Sequence, residues 1–259
     1  MSTRRIHVVG IGAGSPEHVT TQAAAALAEL DVVLVADKGD ATEQLLAVRR
    51  TICDRYARPD LRVIAVPDPR RGPDAGRDRA DYERHVRDWH AARTAAYVAV
   101  LDTLPPEAVV GFLVWGDPAF YDSTIRVVDA IGEQRATEVT VVPGISAPQA
   151  LAAAHGIVLH EVGRPVHVTT GRRLLAQWRA AREAGVDLGT VVVMLDGHLV
   201  CRELAADHPD LSIHWGACLG LPQETLVAGR LGDVIEQIVE VRARLRAEHG
   251  WVMDVYALG

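Results

Sequence analysis

Seven mostly apolar residues, Val109-Val110-Gly111-Phe112-Leu113-Val114-Trp115, run into the turn Gly116-Asp117-Pro118 near the middle of this 259-residue chain. Such a run predicts a strand buried on both faces, the kind that α/β proteins place in parallel sheets. Gly-Asp-Pro ends it: glycine permits backbone geometry closed to other residues, aspartate bonds local amides, and proline fixes φ and donates no hydrogen bond. Pro118 suits the first turn of a helix, predicted here over 121–132. In an open α/β sheet, ligands collect at the C-terminal end of a central strand. This turn is therefore the first place to look for function.

The rest of the chain repeats the pattern. Ile6-His7-Val8-Val9-Gly10-Ile11 predicts a strand, followed by the loop Gly10-Ile11-Gly12-Ala13-Gly14-Ser15-Pro16, a helix capped by Thr20 or Thr21, and the strand Asp31–Ala36. That β-loop-α-β unit implies parallel pairing through a right-handed crossover. The loop invites a dinucleotide reading, with Asp37 where a ribose-binding acid would fall. However, Ser15 stands in place of the third glycine, and Ser15–Val19 separates the glycines from the helix, whereas the dinucleotide fingerprint opens its helix directly on them.

Further strands are predicted over 62–66, 139–142, 166–170, 190–195, 214–220, 224–229 and 252–258. Helices are predicted over 42–56, 80–104, 147–155, 173–183 and 231–248, the long one with Tyr82, Val86, Trp89, Ala96 and Val100 inward. Ser146 is placed to cap the helix after Pro143-Gly144-Ile145. Three strand ends, at Gly10–Gly14, Gly116–Pro118 and Pro143–Ser146, then form three walls of one crevice. The first half closes near residue 115, which predicts domains over 1–115 and 116–259. Consecutive strands late in the chain predict a mixed second sheet.

Apolar residues make up 49% of the chain and charged residues 24%, which is ordinary for a soluble globular protein. No apolar run reaches the ~18 residues that span a bilayer. The basic N-terminus leads straight into a strand pattern without a signal-peptide core, so a cytoplasmic protein without a membrane partner is expected. A formal charge of −7 argues against a nucleic-acid partner. Cys53, Cys201 and Cys218 lack metal-type spacing, so neither disulfides nor a metal site are expected. Arg70-Arg71 and Arg172-Arg173 are arginine pairs able to bind carboxylates bidentately.

Val9–Pro16 with Thr20, Gly116-Asp117-Pro118 with Tyr121, and Pro143-Gly144-Ile145-Ser146 resemble, in this order, the motifs of the tetrapyrrole methylase family. The resemblance covers essentially the whole chain. It implies an α/β fold of two domains with a mostly parallel N-terminal sheet, a mixed C-terminal sheet and the active cleft between them. It also implies S-adenosylmethionine as methyl donor, a tetrapyrrole (precorrin) substrate, no metal, and a homodimer. Asp37-Lys38-Gly39, Val114–Thr124, His167–Arg173 and His249–Asp254 are similar to the members that methylate precorrin-5 at C-1 and release the ring acetyl group as acetate, in aerobic cobalamin (vitamin B12) synthesis. Carried over by position, the donor contacts are Ala13, Gly116, Asp117, Phe120, Ser146, Ala147, Leu195, Leu219 and Gly220. Ala13 stands where members often carry proline. Asp117 and Tyr121 are the candidate catalytic side chains, and Arg172 and Arg173 the candidate substrate ligands. Two other readings stay open: a methyltransferase of this fold acting on another precorrin, RNA or protein, and a nucleotide-dependent oxidoreductase built on the Gly10–Gly14 loop.

Overall fold

The computed structural model describes residues 3–37, 43–69 and 79–259. Lys38, Gly39, Arg70 and Arg71 lie outside these residues, as do the side chains of Tyr82 and Val86. The chain forms two compact units, Met1–Gly12 with Pro16–Ile145, and Ala13–Ser15 with Ser146–Gly259.

In the first unit, β1 (Arg4–Gly10), β2 (Val32–Asp37), β3 (Arg62–Pro67), β4 (Val110–Val114) and β5 (Thr137–Val142) lie in the order β3-β2-β4-β1-β5. All pairs are parallel. Its helices are α1 (Thr21–Glu29), α2 (Glu43–Tyr56), α3 (Arg79–Leu101) and α4 (Thr124–Gly132). Side chains alternate along the strands, so one sheet face packs on α3 and α4 and the other on α1 and α2. Val8, Leu34, Phe112 and Val114 meet Tyr97, Leu101 and Val128. Val9, Val33, Val35 and Leu113 meet Ala23, Leu27 and Ile52. Both faces of the central strands β1, β2 and β4 are therefore covered, which explains why these read as apolar runs, while the edge strands β3 and β5 stay largely exposed. The Thr20 side chain accepts the Ala23 amide at 3.0 Å and caps α1, as its position predicts.

One local expectation for this unit does not hold, and another is incomplete. Helix α4 starts at Thr124, not at residue 121, because Tyr121 adopts φ 51° and cannot begin a right-handed helix. Asp122 instead accepts the Thr124 amide at 2.6 Å, and Pro118 belongs to the turn before it. On α3, Ala96 and Val100 pack against the core as expected, but among the described residues the deepest side chains are Thr94, Tyr97, Val98 and Leu101. That 3–4 spacing is a proper helical stripe, but its polar member Thr94 hides it from a search for apolar residues.

The second unit has β6 (Val166–Thr170), β7 (Thr190–Met194), β8 (Ser212–Ala217), β9 (Thr225–Arg230) and β10 (Asp254–Leu258) in the order β6-β7-β10-β8-β9. β6 and β7 are parallel, while β10 runs antiparallel to both β7 and β8, and β9 antiparallel to β8. This is the mixed sheet expected from consecutive late strands. Helices α6 (Gly171–Glu183), α7 (Cys201–Asp207) and α8 (Leu231–His249) cover one core, centred on Trp215 and Tyr256. Helix α5 (Ala147–His155) packs on β10 and β8. The seven-residue α7 was not foreseen, being short and set in a polar stretch.

The expected domain boundary at 115/116 falls inside the first unit. β5 pairs along the whole of β1, from Arg4↔Thr137 to Val9↔Val142, and so holds residues 116–145 with the first sheet.

Candidate active site

In the first unit, three strand ends meet through their main chains. Ile11 donates to the Val114 carbonyl at 2.9 Å, and Gly12 and Gly116 exchange hydrogen bonds of 3.2 and 2.8 Å. A Cβ on Gly144 would lie 2.1 Å from the Gly116 oxygen and 2.8 Å from the Gly10 carbonyl carbon. A Cβ on Gly10 would lie 2.6 Å from the Gly144 nitrogen. Only glycine allows backbones this close. The three strand-end turns thus approach one another at Gly10, Gly12, Gly116 and Gly144.

Asp117 ties the same turns together. One carboxylate oxygen accepts the Ala119 amide at 2.8 Å and the other accepts the Gly144 amide at 2.9 Å. This gives Asp117 a clamping role at the turn. Gly116 holds φ 65°, beyond which Phe120 and Tyr121 stand exposed. Partial burial pushes the Tyr121 phenol above its usual range. It is therefore a hydroxyl at neutral pH rather than a base.

The other candidates belong to the second unit. β6, β7 and β8 all point the same way, and their register sets Thr170, Met194, Asp254 and Ala217 along one sheet edge. The exposed Arg172 and Arg173, Leu195, Leu219 and Gly220 follow at that edge. Leu195 is not strand core: it lies past the end of β7, 65% exposed, with φ 54°. Leu219 is buried, behind Cys218 at φ 54°, and the Gly220 amide donates to Glu224 at 2.6 Å. The half-buried Ala13 precedes Gly14, where a Cβ would sit 2.6 Å from the Leu219 carbonyl oxygen. Ser146 and half-buried Ala147 open α5, and the Ser146 amide and hydroxyl both donate to Gln149 Oε1 at 2.9 Å. Ser146→Ala removes half of this reciprocal cap. It is expected to cost about 1 kcal/mol, read as a lowered urea midpoint.

Beneath Leu195 lies a buried polar network that sequence reading missed. Asp196, 4% exposed, accepts the Tyr256 hydroxyl at 2.6 Å and the amides of Val200 at 2.7 Å and His198 at 3.2 Å. Arg242 donates to the carbonyls of Asp196 and Gly197 at 3.0 and 3.1 Å, and to Asp254 at 2.8 Å. Trp215 Nε1 completes it on Asp254 at 3.1 Å. Burial pushes the Asp254 carboxyl above its ordinary range and the Tyr256 hydroxyl well above its own. The network pins a segment in which Leu195 and Leu199 both adopt left-handed geometry. Asp254 at the start of one apolar strand and Asp196 just past the end of another mark these positions in the sequence, though not their partners.

The oxidoreductase reading loses its geometric basis. A 3-10 turn over Pro16–His18 separates Gly14 from α1, so the glycines do not open the helix. All three cysteines are free and buried, and burial pushes Cys53 up to about 11 and Cys201 up to about 12, which leaves those two thiols inert. Among the described residues no helix is long and apolar enough to cross a membrane.

Known proteins share this architecture. A curated precorrin-6A synthase (deacetylating) from Sinorhizobium sp is 42% identical over 98% of this chain and 95% of its own length. The crystal structure of a protein from Corynebacterium diphtheriae, described as cobalamin synthesis related (CobF), superposes with a TM-score of 0.80 at 36% identity, covering 99% of this chain and 98% of that one. Uroporphyrin-III C-methyltransferase from Thermus thermophilus, solved with S-adenosylhomocysteine, shares the fold at a TM-score of 0.59 and 22% identity, over 98% of this chain and 92% of that one. The model of the tetrapyrrole (corrin/porphyrin) methylases matches residues 5–235, and the chain belongs to that family of methyltransferases.

Proposed function

We propose that the chain transfers a methyl group from S-adenosylmethionine to C-1 of precorrin-5 and, with water, releases the ring acetyl group as acetate, giving precorrin-6A. The substrate assignment rests on the near full-length similarity to a deacetylating precorrin-6A synthase. One observation of the fold carries the donor site. Tyr121, Leu195, Leu199 and Cys218 are the non-glycine residues described with positive φ, and all four follow strand ends near which the resemblance implies donor contacts. Bulky residues in that region cost energy and persist where the surroundings over-determine them, which is typical of ligand-binding segments.

The residues present fit such a donor. Ala13, Gly116, Asp117, Phe120, Ser146, Ala147, Leu195, Leu219 and Gly220 would hold it, through main-chain groups beside small residues and through the exposed apolar faces of Phe120 and Leu195. Bound there, it supplies an electrophilic methyl group. The protein's part is to fix the approach of the ring carbon and exclude water, which lowers the barrier without a metal. Asp117 acts by holding two turns in place, and the protonated Tyr121 by donating a hydrogen bond toward substrate. Arg172 and Arg173 are proposed to pair with precorrin carboxylates. The same reading takes the protein as a cytoplasmic homodimer without nucleic-acid or membrane partners, and the net charge of −7 supports excluding nucleic acid.

Incubation with precorrin-5 and S-adenosylmethionine is expected to release acetate and S-adenosylhomocysteine in equal amounts. Methylation without acetate would leave a family methyltransferase acting on another tetrapyrrole. Binding of NAD(P) without affinity for S-adenosylhomocysteine would defeat the donor assignment.

A further inference from the structure

The first unit holds two arginines over tryptophan rings, and among the described residues one of them stands in an ion pair. Arg93, 4.8 Å above the Trp89 ring, pairs with Asp68 at 3.1 Å and donates to the Ser123 hydroxyl at 3.2 Å. Arg49 of α2 lies 5.2 Å from the Trp115 ring centroid. Its Nε is buried and has no acceptor among the described residues. The indole N–H of Trp115 is likewise buried without an acceptor. Asp122 acts on Arg49 electrostatically, but one of its oxygens is already held by the Thr124 amide. Burial pushes the Arg49 guanidinium below its ordinary range.

Leaving two buried N–H donors unmatched, one of them cationic, is costly, because each has given up water without gaining an acceptor. The cost is explained if a bound anion supplies the acceptors. A guanidinium held over an indole by cation–π attraction still has N–H donors to offer a planar oxyanion. Trp115 directly precedes the Gly116-Asp117 turn, which places this cation beside the segment proposed for methyl transfer. Tetrapyrrole substrates carry carboxylates around their rim.

We infer that Arg49, backed by Trp115, is a substrate-binding residue that receives a peripheral carboxylate of the tetrapyrrole. The inference rests on the tetrapyrrole reading of the site, yet it has its own readout. Met keeps the bulk of the side chain and its packing on Trp115 while removing the charge. Arg49→Met is expected to leave the melting temperature of the unliganded protein unchanged or raised, because it removes a buried N–H that has no acceptor among the described residues. It is also expected to weaken binding of uroporphyrin, an octacarboxylate, by about tenfold or more in a fluorescence titration. S-adenosylhomocysteine affinity should stay within about twofold, and KM for precorrin-5 should rise with kcat little changed. Unaltered uroporphyrin affinity would overturn the inference. So would a lowered melting temperature with matching losses for both ligands, since Arg49 would then be a packing residue. A wild-type protein that binds uroporphyrin but does not turn over precorrin-5 would refute the proposed reaction while the Arg49 comparison still decides this point.

Discussion

Gly144→Ala is expected to destabilise the first unit by about 3 kcal/mol and to abolish detectable S-adenosylhomocysteine binding. A single methyl group suffices because every atom it meets is main chain. Its carbon would sit 2.1 Å from the Gly116 oxygen and 2.9 Å from the Gly10 Cα, with no side chain to rotate aside. Relief would require β1, β4 and β5 to separate at their ends, and all three are locked in one parallel ladder. Gly156→Ala provides the comparison. Gly156 has φ 64° but open space around its Cβ position, so only the left-handed backbone cost of about 1 kcal/mol applies. Thermal melts with calorimetric titration of S-adenosylhomocysteine measure both. A Gly144→Ala protein as stable as Gly156→Ala would show that the three turns do not approach as described.

Arg242→Met is expected to cost about 3–5 kcal/mol at pH 7, because it strands the Asp254 carboxylate in the second core. The ion pair is shielded, with side-chain exposures of 13% and 5%. The loss should also depend on pH in an unusual direction. Burial already raises Asp254 above its ordinary value, with Arg242 opposing that rise. Between the ordinary and the raised pKa, the folded chain keeps a proton that the unfolded chain has released, so this group's contribution to stability falls as pH rises. Without Arg242 the folded value moves higher and the window widens upward. The deficit of the variant should therefore shrink as pH falls from about 7 toward 5, where Asp254 can fold in its neutral form. Urea unfolding at both values tests this, and a deficit that stayed constant would place the cost elsewhere in the network.

The alternation of strands and helices was legible because helices cover the central strands of both sheets and those strands are correspondingly apolar. Caps were legible for a local reason: Thr20 and Ser146 act on residues three positions away. The glycine turns were readable as close approaches, since small residues in three strand-end loops leave few other uses. What stayed hidden depends on partners far along the chain. Asp254 and Arg242 are 12 residues apart, and Asp196 meets Tyr256 across 60. No local pattern announces such pairings. Leu195 shows the other failure: an apolar residue at the end of an apolar run reads as strand, although its backbone has already left the sheet. The domain boundary was misplaced for the same reason as the network. β5 belongs to the first sheet through pairing with β1, more than 130 residues earlier.

The strand order of the second sheet bears on how the chain can be assembled during synthesis. β10 is the central strand, and β7 and β8 touch it rather than each other. Until residues 254–258 emerge from the ribosome, β6-β7 and β8-β9 are separate ribbons, each with its inner edge open as well as its outer one. The first unit, by contrast, has all its strands once residue 142 is made. Residues 13–15 are then already translated, yet their partners at Leu219 are still to come. Vectorial folding therefore yields a finished parallel sheet carrying an unfilled loop while the second half waits for its keystone. During that interval the open edges of β7 and β8 are the segments most exposed to mispairing.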